Sequence, residues 1–82
     1  MNSFKLYNMM EIFKTNVVGK NDAEKLLQIL NDIFPGAIVN FDLNDCDRVL
    51  RVESSTINPD EIISIINRNG FSCKLIPDKI CK

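Results

Sequence analysis

Three cysteines, a short run of aspartates and one glycine–lysine loop are the residues whose chemistry invites a functional reading. Cys46 and Cys73 carry thiols that can ligate Zn²⁺ or Cu⁺, with Asp45 or Asp47 assisting. Cys73 also alternates with Phe71 and Leu75, the pattern of a cysteine used as a small buried hydrophobe. Cys81 stands in a polar tail and reads as a spare thiol. An odd number of cysteines, with no close pair and no secretory signal, reads as reduced thiols in a cytoplasmic protein. Cys46 and Cys73 are therefore kept only as candidates for a metal site, and no cofactor is expected.

Catalysis finds less support. No histidine is present to exchange protons near neutral pH. Asp42, Asp45 and Asp47 cluster where a solvated hairpin explains them, and acid–base work would need a pocket to bring two of them together. A small enzyme stays as the third alternative, behind an interaction protein and a metal carrier. The stretch Val18-Gly19-Lys20-Asn21 leads into a helix N-terminus, which attracts anions. It lacks the Gly-x-x-x-x-Gly-Lys-Ser/Thr spacing of a phosphate loop. Lys20 reads as a solvated turn residue that offers a partner one positive contact.

These residues sit in a chain of 82, enough for one hydrophobic core and too few for two. Hydrophobic residues make up 45% and charged residues 26%, an ordinary globular balance. Ten basic side chains face eleven acidic ones, so the footprint of a nucleic-acid binder is missing. No apolar run is long enough to span a membrane, and MNSFKLYNMM lacks the uninterrupted apolar core of a secretory signal.

The positioning elements follow from periodicity. Residues 1–10 read as an N-terminal extension, 11–76 as the domain and 77–82 as a tail. Glu11–Val17 alternates as a strand. Asn21 reads as a helix cap with Asp22 in the first turn. Ala23, Leu26, Leu27, Leu30, Ile33 and Phe34 then form one apolar stripe, which Pro35-Gly36 ends. Ala37–Leu43 and Arg48–Glu53 read as strands around a polar hairpin. Asn58, Pro59 and Glu61 punctuate a second helix to Asn69. Its buried face is Ile62, Ile63, Ile65 and Ile66, and Gly70 takes the left-handed position at its end. Phe71–Ile76 closes the order strand, helix, strand, strand, helix, strand. The simplest packing is an α+β, ferredoxin-like βαββαβ sandwich, a four-stranded antiparallel sheet with both helices on one face.

Within that order, Val17–Ala23 followed by a helix ending Phe34-Pro35-Gly36-Ala37, and the later Gly70-Phe71, resembles the heavy-metal-associated domains of copper chaperones and metal-transporting ATPases. The resemblance runs from Glu11 to Ile76. Lys20 and Ala23 occupy the places of that family's two metal-binding cysteines. An ammonium and a methyl cannot ligate a soft metal. The resemblance thus implies the fold without the metal site, and a non-catalytic protein-interaction module. The alternative is metal trafficking or sensing through relocated ligands, Cys46 and Cys73.

Alternation leaves Ile12, Lys14, Ile38, Asn40, Val49, Arg51, Glu53 and Ile76 on the face away from the helices. The extension adds Phe4, Leu6, Tyr7, Met9 and Met10, apolar residues that need cover. They are expected to fold over the open face, pair with an edge strand or reach a second copy. The interaction residues so assigned are Phe4, Tyr7, Ile12, Lys20, Ile38 and Ile76, with a protein partner or homodimer as the ligand.

Overall fold

A computed structural model describes residues 9–44, 46–55 and 58–76. Phe4, Tyr7, Asp45 and Cys81 lie outside the described residues. The elements are β1 (Met9–Thr15), α1 (Lys20–Ile33), β2 (Ile38–Asp42), β3 (Val49–Ser54), α2 (Pro59–Arg68) and β4 (Cys73–Ile76). They form one four-stranded sheet in the order β2-β3-β1-β4, antiparallel at every pairing. This is the ferredoxin-like α+β arrangement. β1 starts at Met9, so the strand takes in two residues that composition groups with the extension.

Paired residues in antiparallel strands project to the same face, so the register separates the two sides of the sheet. Toward the helices, Leu75, Phe13, Leu50 and Phe41 form one cross-strand row, and Val52 and Val39 belong to the next. Phe13, Leu50 and Val52 are buried, and α1 covers them with Ala23, Leu26 and Leu30 while α2 adds Ile62, Ile65 and Ile66. Each of these branched side chains contributes about 1.5–3 kcal/mol when fully buried, so together they dominate the drive to fold.

The helix ends show where local signals win and where packing overrides them. In α2 the Asn58 Oδ1 accepts the Asp60 N–H at 2.9 Å, Pro59 follows, and Gly70 adopts φ +94°, as the punctuation predicts. Ile63 is half-buried rather than part of the enclosed face. In α1 the cap is Gly19, without a side-chain bond, not Asn21. Burial of Val17 draws the chain into the core early, and the helix begins at Lys20 before Asn21 can cap it. Lys20 is therefore a first-turn helical residue rather than a turn residue. Ile33 sits at the end of the predicted stripe yet is 50% exposed.

Candidate interaction surface and the thiol-bearing end of the sheet

The end of β1 is tied down by a small polar network. Thr15, only 5% exposed, donates its hydroxyl to the Arg48 carbonyl at 2.6 Å and accepts the Val17 N–H at 3.2 Å. Its own N–H donates to the Asp47 carbonyl at 3.2 Å. Asn16 Oδ1 accepts the Ser72 N–H at 2.9 Å, joining the loop before α1 to the loop before β4. Arg48 adopts φ +48° and donates from Nη1 to the Leu43 carbonyl, which braces the hairpin. Alternation makes Arg48 the first residue of a strand, whereas β3 begins at Val49. A left-handed backbone at an arginine has no signal in the sequence.

A groove of about 590 Å³ opens here, lined among others by Lys14, Asp47, Ser72, Cys73 and Lys74. Lys14 lies 3.7 Å from Asp47, an ion pair largely exposed on the lysine side and worth little. Cys73 faces the helices in the row of Thr15, and burial pushes its thiol up to about 12. It is thus protonated at neutral pH, a poor nucleophile and a poor metal ligand. Cys46, in the β2–β3 hairpin, is disulfide-bonded and offers no thiolate. That bond corrects the reading of Cys46 as a reduced thiol, whereas Cys73 is free. Among the described residues no group of three or more histidine, cysteine or acidic side chains is placed to hold a metal ion.

The open face is ordered in rows. Nearest the hairpin run Lys74, Lys14, Val49 and Asp42; next come Ile76, Ile12, Arg51 and Asn40; last are Met10, Glu53 and Ile38. Val49 is fully buried in the first row. Arg51 and Asp42 approach to 3.6 Å across the diagonal. Ile12 and Ile76 are direct neighbours, and Met10, 52% exposed, lies two residues along β1 from Ile12. Ile38, 56% exposed, stands apart on the β2 edge, with the polar Arg51 and Glu53 of β3 between. The structure therefore joins Ile12 with Ile76 and adds Met10, which alternation from Glu11 left out. It does not join Ile38 to them. Lys20 is exposed at the other end of the sheet, where α1 begins.

Fold and surface together define a small ferredoxin-like α+β domain with one closed and one open sheet face. Among the described residues, no helix is long and apolar enough to cross a membrane. Comparison with known protein families, curated proteins and solved structures gives no match.

Proposed function

We propose that the chain is a non-catalytic protein-interaction module, a degenerate relative of the heavy-metal-associated domain that docks a protein on its open sheet face. The observation that carries this reading is the contiguous Met10, Ile12 and Ile76 cluster on the face that neither helix covers. Lys20 and Ala23 support the loss of metal binding. Ala23 is enclosed in the core, and Lys20 is a solvated cation at the helix start, so the place of the family's thiolates is taken by a methyl and an ammonium.

Native mass spectrometry tests the reading under reducing conditions, where Cys46 too presents a thiol. One equivalent of Cu⁺ or Zn²⁺ is expected to leave the apo mass dominant. A tight one-metal complex abolished by Cys46→Ser or Cys73→Ser would overturn it in favour of metal trafficking. The mass at several protein concentrations then separates a second copy from a foreign protein as the partner. A concentration-dependent dimer that Ile12→Lys prevents identifies the partner as this chain itself.

A further inference from the structure

Between the last turn of α1 and the side of α2 lies a second groove, of about 470 Å³. Ile33, Phe34 and Ile65 supply its apolar lining, and Asp60, Glu61 and Arg68 its charged part. Ile33 is the anomaly of α1, since it continues the stripe of Leu26 and Leu30 but stays half exposed.

The topology brings this groove to the place where residues 1–8 join the fold. Met9 pairs with Ser54, the last residue of β3, from which the chain runs on to α2 at Pro59. Ile38, in the same cross-strand row as Met10, follows directly on the loop that ends α1. The start of β1, the end of α1 and the start of α2 thus share one end of the domain. β1 is a central strand, and α1 packs on β2 while α2 packs on β4. The gap between the helices therefore overlies the central strands. Residues 1–8 join the domain under that gap, not at an edge. At ~3.3 Å per residue they reach about 26 Å when extended, enough to turn back onto the helices. Their sequence, MNSFKLYN, holds Phe4, Leu6 and Tyr7 besides Met1, and one lysine, which matches an apolar groove whose charged border, Asp60, Glu61 and Arg68, is acidic on balance.

We propose that residues 1–8 fold back onto the helix layer, seating Phe4, Leu6 or Tyr7 between Ile33 and Ile65 with Lys5 beside Asp60 and Glu61. This covers the exposed Ile33 from within the same chain. It leaves the Ile12–Ile76 face open for a partner, so it goes beyond the proposed function and stands without it.

The test uses the full chain with labelled isoleucine methyls and proton NMR contacts to the rings of Phe4 and Tyr7. Cross-peaks to the Ile33 and Ile65 methyls are expected. They should persist on dilution and be absent between labelled and unlabelled copies in a mixed sample. Ile33→Asn, tolerated because the position is half exposed, should abolish the cross-peaks and leave the Ile38 methyl shift unchanged. Ring contacts to Ile12, Ile38 or Ile76 overturn the proposal in favour of the open face. Contacts found only between copies overturn it in favour of exchange between molecules, Ile80 contacts at Ile33 in favour of the other tail, and no contact at all refutes it.

Discussion

Thr15 holds two backbone groups with one hydroxyl, at a position the sequence presents only as part of the alternating Glu11–Val17 strand. Thr15→Val keeps the shape but takes the donor from the Arg48 carbonyl and the acceptor from the Val17 N–H. Urea denaturation should show a loss of about 1–3 kcal/mol, and Thr15→Ser should recover most of it. Cys73 gives a second expectation at this scale. Its burial favours the protonated thiol in the folded state, with the pKa raised from 9.0 to about 12. The associated stability is whole below pH 9.0, where both states are protonated, and is lost as the pH climbs toward 12. Chemical denaturation across that window should show stability falling in the wild type and a flatter curve in Cys73→Ala. Alkylation of Cys73 at pH 8 should be slow until urea is added.

The two helices differ in how openly the sequence declares them. α2 is legible because each of its signals is local: a cap at Asn58, a proline at the first turn, a glycine with positive φ at the end. Asn58→Ala should cost about 1 kcal/mol, and Gly70→Ala about 1–2 kcal/mol from placing a Cβ in the left-handed region. Thermal melts of the two variants check both values. Among its isoleucines, Ile66→Ala should cost about 2–5 kcal/mol, and Ile63→Ala clearly less because that side chain is only half enclosed. α1 is misread by two residues at its start because the deciding event, burial of Val17, is tertiary. Its first residue is a lysine at the positive end of the helix dipole. Lys20→Glu should therefore raise stability by about 0.3–1 kcal/mol at low ionic strength and lose that gain in high salt.

At the scale of the molecule, the strand and helix order and the face each strand residue takes were legible, since alternation reports directly on face. Burial was not: Ile33 and Ile63 are less enclosed than helical spacing implies, and Val49 on the outward face is fully buried. Which outward residues become neighbours was not legible from alternation. Whether Ile12, Ile38 and Ile76 make one patch depends on which strand separates them, and β3 places Arg51 and Glu53 between Ile38 and the other two. The strand order also has a consequence for how the chain is made. β1 is synthesised first, yet its two neighbours are β3 and β4, the third and last strands. A nascent chain holds Phe13 without its Leu50 and Leu75 neighbours until each has left the ribosome, and Thr15 waits for Cys73. Such distant pairings slow folding relative to helical bundles of the same size. The emerging protein therefore passes through an interval in which β1, with Ile12 and Phe13, is unpaired, and a chaperone that recognises extended apolar segments would find residues 9–17 exposed for the longest time.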